Sequence, residues 1–88
     1  MEPIADLDYE ITLYSRDQCQ PCKATVRKLN KHGIPFRERN TSHDDAARDF
    51  LMSAGFTEAP VVIRSDGVEW TGFRPDLIEA MAREGGTL

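Results

Sequence analysis

The sequence is poor in cysteine, in aromatics, in positive charge and in long apolar runs, and each shortage excludes something. Two cysteines among 88 residues are too few for the multi-bridge framework of small secreted domains. No run approaches the ~20 apolar residues of a membrane span. Eleven lysines and arginines against fifteen acids leave a net charge of −4, which argues against a nucleic-acid partner, since that needs a basic face. The opening Met1-Glu2-Pro3-Ile4-Ala5-Asp6 has neither the basic nor the apolar region of a secretory leader. A cytoplasmic location is therefore expected, and in a reducing compartment a cysteine pair is chemical more often than structural. There is no internal repeat and no low-complexity tract. What is present, 40% hydrophobic and 30% charged residues, is a globular composition. The length fits one domain spanning residues 1–88, with a small core, because a chain this short buries only about 60% of its unfolded surface.

Residues 1–8 read as a loose lead-in. Tyr9-Glu10-Ile11-Thr12-Leu13-Tyr14 is β-branched and aromatic and reads as a strand with Ile11 and Leu13 on one face. The polar Ser15-Arg16-Asp17-Gln18 leads into Cys19-Gln20-Pro21-Cys22. A helix follows, with Cys22, Val26 and Leu29 at i, i+4 and i+7, Pro21 in its first turn and His32-Gly33 at its end. Phe36-Arg37-Glu38-Arg39-Asn40 is too polar for a central strand and predicts an edge. Ser42 with Asp45 resembles a capping box for a helix whose inward stripe is Ala47, Phe50, Leu51 and Ala54, stopped at Gly55. Ala59-Pro60-Val61-Val62-Ile63-Arg64 predicts a buried strand, Asp66-Gly67 a hairpin turn, and Val68-Glu69-Trp70-Thr71 the antiparallel return. Pro75 opens a last helix with Leu77, Ile78 and Met81 facing in, ended by Gly85-Gly86. The order βαβαββα gives an α/β fold, a four-stranded mixed sheet flanked by three helices. That is the thioredoxin-like arrangement, and a C-x-x-C beside a βαβ unit points the same way.

The place of the cysteines matters more than their spacing. Cys19 falls at a helix N-terminus, near unpaired N–H groups and the positive end of the dipole. Such a site favours the thiolate over a free thiol of pKa about 8.5, and Arg16 and Lys23 add positive charge. Cys22, one turn in, is expected to be less exposed. Cys19 is then the attacking thiolate and Cys22 the resolving thiol: Cys19 forms a mixed disulfide with a partner, and Cys22 displaces the partner to leave a Cys19–Cys22 disulfide. A mere staple is the bland alternative, but so short a loop contributes only roughly 2 kcal/mol. Zinc would need His32 and His43 as its remaining ligands, without finger-like spacing. A copper chaperone or an iron–sulfur carrier is the other binding-module reading.

Two further stretches stand out. A proline opening a buried strand, Ala59-Pro60, forgoes a ladder hydrogen bond; a trans bond is the ordinary expectation, since cis occurs in only about 5–6% of X–Pro bonds. Trp70-Thr71-Gly72-Phe73-Arg74-Pro75-Asp76 gathers Trp, Phe and Arg, residue types enriched at interfaces, at a turn into a helix.

Taken together, these stretches make the chain from about Ile11 to Met81 resemble a glutaredoxin, and more narrowly the NrdH-redoxins. The 70–76 stretch is the most specific, because that family shows Trp-Ser-Gly-Phe-Arg-Pro and this chain differs only at Thr71. The resemblance implies a dithiol electron donor to the class Ib ribonucleotide reductase. It also implies recharging by thioredoxin reductase, so that NADPH is used indirectly with no cofactor or metal bound, and a monomer. It further implies a cis Pro60 near Cys19, and a partner surface made of Gln20, Pro21, Ala59, Pro60, Trp70, Gly72, Phe73 and Arg74. Two departures bear on this. The NrdH-redoxins usually carry Cys-Val-Gln-Cys or Cys-Met-Gln-Cys, whereas Pro21 is a feature of typical glutaredoxins. Glutathione-using glutaredoxins carry Gly-Gly where this chain has Gly72-Phe73, and a bulky Phe73 argues against a snug glutathione site. A glutathione-dependent glutaredoxin is the alternative reading.

Overall fold

The computed structural model describes residues 8–85; most of the lead-in and the second glycine of Gly85-Gly86 lie outside them. The elements are β1 (Ile11–Ser15), α1 (Gln20–Lys31), β2 (Arg37–Asn40), α2 (Asp45–Ser53), β3 (Val61–Arg64), β4 (Glu69–Thr71) and α3 (Pro75–Gly85), in the order the sequence predicts. The sheet runs β2-β1-β3-β4. β1 pairs with β2 in parallel and with β3 antiparallel, and β3 pairs antiparallel with β4. Polar β2 is an edge strand, as its composition requires.

Two cores sit on the two faces of the sheet. Ile11 and Leu13 of β1 point to one side and pack with Leu29 of α1, Val62, Trp70, and Ile78 and Met81 of α3. Tyr14 and Val61 point to the other and pack with Ala47 and Leu51 of α2. The period-two alternation along β1 and β3 makes this division. Leu13 and Leu29 are fully buried, each worth roughly 1.5–3 kcal/mol relative to exposure.

Helices α1 and α2 end alike. Gly33 N–H donates to Asn30 and Ile34 N–H to Leu29; Gly55 N–H donates to Met52 and Phe56 N–H to Leu51, all at 2.9–3.1 Å. These paired bonds satisfy carbonyls that a helix end leaves open. After α1 they also bring Ile34 down beside Leu29 in the core.

Two expectations for α2 need correcting. Its N-cap is Asp44, whose Oδ1 accepts from Ala47 N–H at 3.0 Å; Ser42 stands two residues too early to reach the first turn and instead accepts from Asp17 N–H. The buried stripe is only Ala47 and Leu51. Ala54 is exposed, and Phe50 is 47% exposed, with its ring stacked against Tyr14 at 5.7 Å. A helix of nine residues presents too few turns to bury a wider face.

The register decides where the loops meet. Tyr14 pairs with Val61, and Val61 with Thr71, while Ser15 pairs with Asn40. The loops following β1, β2 and β4 and the one preceding β3 therefore all lie at one end of the sheet. The Ser65–Gly67 turn between β3 and β4 lies at the other.

Candidate active site

Cys19 enters from the β1–α1 loop. Gln18 takes a left-handed φ of 55°, which turns the chain so that Cys19 becomes the N-cap of α1. Its Sγ accepts from Cys22 N–H at 3.2 Å and its carbonyl from Lys23 N–H at 3.1 Å. Cys19 and Cys22 are joined in a disulfide, with Cα atoms 5.2 Å apart. When that bond is broken, the same N–H and the helix N-terminus stabilise negative charge on Cys19 Sγ.

The expected contrast in exposure is absent. Cys19 is 4% and Cys22 3% exposed. The bridge folds the Cys19 sulfur back over the first turn of α1, and the exposed side chains around it are Gln18, Gln20 and Pro21.

A network invisible in the sequence ties this loop to the one after β2. Asp17 N–H donates to Ser42 Oγ at 3.0 Å, and Asp17 Oδ1 accepts from Asn40 Nδ2 at 3.0 Å. His43 Nε2 lies 2.8 Å from Asp17 Oδ2. Thr41 donates through both its N–H and its hydroxyl to the Ser15 carbonyl, at 2.7 and 2.9 Å. The Asn40 amide, followed by His43, holds the Asp17 carboxyl below its usual range. His43 is thus engaged with Asp17, and His32 caps the far end of α1. Among the described residues no group of three or more His, Cys, Asp or Glu is placed to hold a metal.

The Ala59–Pro60 bond is cis, as the family resemblance implies and against the ordinary expectation for an X–Pro bond. Pro60 is buried, and its carbonyl accepts from Gly72 N–H at 2.9 Å. That bond fastens the 72–74 turn to the start of β3. Trp70 is only 7% exposed and belongs to the α1–α3 core, so its ring supports this end from beneath instead of forming its surface. Its Nε1 has no hydrogen-bond partner among the described residues. Phe73 is 39% exposed. Arg74 is also exposed, with its guanidinium on Asp76 through Nε at 3.2 Å and Nη2 at 3.0 Å. Asp76 holds Arg74 more firmly protonated, and Arg74 lowers the Asp76 carboxyl in turn.

Two clefts flank the dithiol loop. One, of about 450 Å3, is walled by Ser15, Arg16, Cys22, Lys23, Arg27 and Glu38. The other, of about 310 Å3 on the α2 side, includes Tyr14, Arg16, Arg48, Phe56 and Ala59. Glu38 and Asn40, which line the first cleft, were not singled out from the sequence. The signal was the alternation along Phe36–Asn40, which puts positions 36, 38 and 40 on one side of the strand.

Comparison with known proteins agrees with this geometry. A family model described as glutaredoxin matches residues 11–68. The chain is similar to a glutaredoxin-like protein NrdH from Escherichia coli, at 39% identity over 71 residues, 81% of this chain and 86% of that one. It is also similar to a glutaredoxin-like protein NrdH from Lactococcus lactis, at 32% identity over 72 residues, 82% of this chain and 99% of the other. Among solved structures, the NrdH-redoxin from Escherichia coli, a glutaredoxin-like protein described as having a thioredoxin-like activity profile, superposes with a TM-score of 0.75. It is 39% identical, and the match covers 81% of this chain and 92% of that one.

Proposed function

Because the chain belongs to the glutaredoxin family, within its NrdH-redoxin branch, we propose that it delivers electrons to the disulfide of a class Ib ribonucleotide reductase and is recharged by thioredoxin reductase. It is a thiol-disulfide oxidoreductase with the Cys19–Cys22 pair as its redox centre. On this reading Cys19 attacks the partner disulfide and Cys22 resolves the mixed disulfide; two electrons leave as the intramolecular bond forms. The dithiol itself carries the electrons, and NADPH enters only through the reductase. The molecule works as a monomer in the cytoplasm. No helix among the described residues is long and apolar enough to cross a membrane.

The observation that carries the choice of protein partners is the 72–74 turn. The Gly72–Pro60 bond ties the turn with exposed Phe73 and Arg74 to the start of β3, which pairs with Tyr14 near the end of the strand that leads to the dithiol. Exposed aromatic and arginine side chains are the residue types enriched at the hot spots of protein interfaces. Gln20, Pro21 and the Ala59 main chain complete the contact surface.

A glutathione-dependent activity is favoured by one feature, the α2-side cleft with Arg16 and Arg48 beside Ala59, which would suit an anionic peptide. One experiment separates the two. Oxidised protein is offered NADPH with thioredoxin reductase, or reduced glutathione with glutathione reductase and NADPH. Rapid reduction by the first system is expected; reduction by the glutathione system alone would overturn the proposal.

A further inference from the structure

The resolving step must dispose of a proton. When Cys22 attacks Cys19 in the mixed disulfide, the Cys22 S–H bond breaks, the Cys22–Cys19 bond forms and the partner leaves as a thiolate. Cys22 is 3% exposed, so buffer bases have little direct access to it. Yet it borders the cleft of about 450 Å3 that opens on the α1 side of β2, with room for several waters.

One carboxylate in that cleft is free to act. Leu13 and Glu38 are register partners, and paired residues point to the same face of a sheet. Glu38 thus stands on the face of Ile11, Leu13 and Ser15, the side α1 packs against, but at its open edge, where Glu38 itself is exposed to solvent. Apolar Phe36, two residues earlier, packs into the core on that side, whereas position 38 carries charge. Ser15, 2% exposed, donates from Oγ to Glu38 Oε2 at 2.7 Å. That bond fixes one carboxylate oxygen and leaves Oε1 without a protein partner among the described residues. The other ionisable side chains on the cleft are Arg16 and Asp17 from the loop and Lys23 and Arg27 from α1. Asp17 is occupied by Asn40 and His43. Arg37 and Arg39 alternate to the opposite face, where Arg39 meets Asp44. The cations cannot accept a proton, which leaves Glu38.

We propose that Glu38 is the proton relay of Cys22: a cleft water carries the Cys22 proton to the Glu38 carboxylate as Cys22 attacks, and Glu38 passes it on to solvent. In the reverse direction, when Cys22 leaves the intramolecular disulfide as a thiolate, Glu38 returns the proton. This assignment rests on the roles given above to Cys19 and Cys22, and it adds a residue that touches neither the partner nor the disulfide.

The test follows the two steps separately. Reduced protein is mixed in a stopped-flow instrument with the aromatic disulfide dithio-bis-nitrobenzoate. Attack by Cys19 releases one coloured thiolate, and resolution by Cys22 releases a second. In Glu38→Gln, which keeps an acceptor for Ser15, the first phase is unchanged. The second phase slows about tenfold near pH 6.5, short of the ~10²-fold at which general acid–base effects usually begin, because the cleft water still passes part of the proton to solvent unaided. The loss disappears toward about pH 9, where an ordinary thiol ionises unaided. Added imidazole, small enough to enter the cleft of about 450 Å3 and take the proton from its water without touching Cys22, restores the slow phase at the lower pH. Ser15→Ala, which leaves the carboxylate in place but unheld, gives a smaller loss of the same pH shape. An unchanged second phase, or a loss equal at every pH and not rescued by imidazole, would overturn the relay. A larger loss in Ser15→Ala would overturn it too, because the hydroxyl would then be the group that matters. Cys22→Ser must show the first phase alone. If it shows none, it is the assignment of the two cysteines that fails, a result separable from any effect of Glu38.

Discussion

Replacing Gly72 by alanine separates the backbone requirement of the 72–74 turn from its role in docking. Gly72 has φ +82°, and a Cβ built there meets nothing within 4 Å. The substitution therefore causes no clash. It does place an L side chain in the left-handed region, at about 1–2 kcal/mol, offset in part by the smaller freedom of alanine in the unfolded chain, about 0.4–1 kcal/mol. A net loss of about 1 kcal/mol should lower Tm by about 4–8 °C for a domain of this size. Gly67 provides the matched control. Its φ is +99°, its surroundings are equally open, and it sits in the β3–β4 turn at the sheet end away from Cys19. Gly67→Ala should therefore cost the same stability within error. The two should part in activity. Relief of backbone strain at position 72 shifts the Gly72 N–H that holds the Pro60 carbonyl, and with it Phe73 and Arg74. With a protein disulfide substrate, kcat/KM should fall about tenfold in Gly72→Ala, short of the ~10²-fold that a 1 Å misplacement can produce, and stay unchanged in Gly67→Ala. Thermal unfolding by circular dichroism and a coupled NADPH assay with thioredoxin reductase give both readouts. Equal activity in the two variants would refute the docking role of the turn. A stability loss above about 3 kcal/mol in Gly72→Ala would refute the claim that its surroundings are open.

Three further outcomes are expected. Cys22→Ser should accumulate a mixed disulfide through Cys19, visible by mass spectrometry, whereas Cys19→Ser should neither trap a partner nor turn over; the opposite pattern would reverse their roles. Leu29→Ala, in the fully buried heart of the α1–α3 core, should lose about 3 kcal/mol in urea unfolding, within the range for buried leucines. The Arg39 guanidinium, then the Ala47 N–H, hold the Asp44 carboxyl below its usual range. A depressed folded pKa contributes stability above the ordinary carboxylate value of about 3.9 and loses it as pH falls through the folded value. The stability gap between the native chain and Asp44→Asn should therefore narrow as pH is taken from about 5 to about 3, and a gap constant over that window would contradict the ion pair.

Patterns with a strong local cause were readable from the sequence alone. The alternation of Ile11 and Leu13, the apolar run Val61–Ile63, the Asp66-Gly67 turn and the glycines after α1 and α2 each specify a backbone state over a few residues. They sufficed for the element order and for the placing of Cys19 at a helix start. What escaped depends on distances between segments. Asp44 displaces Ser42 as the cap because the chain must first close the Thr41–Ser15 bonds and the Asn40–Asp17 clasp, and only then enter the helix. In the sequence Glu38 is one charge in a polar edge strand; the register with Leu13 is what sets it, still exposed, on the cleft that Cys22 borders. Trp70 was expected at the partner surface, and its packing with Ile78 and Met81 of α3 puts it in the core instead. That Cys19 is as buried as Cys22 also escaped, because a place at a helix start says nothing of what packs around it.

The hairpin turn at Ser65–Gly67 has a use in practice. Arg64 N–H bonds to the Val68 carbonyl and Gly67 N–H to the Arg64 carbonyl, and the turn residues themselves are exposed, so a side chain grafted there disturbs no core contact. Ser65 Oγ accepts from Glu10 N–H at 2.8 Å and is best kept; a tether at Val68, exposed just past the turn, would anchor every copy on an electrode or bead with its disulfide facing outward, and the anchored layer could exchange electrons with a dissolved partner without the anchor competing for the same surface.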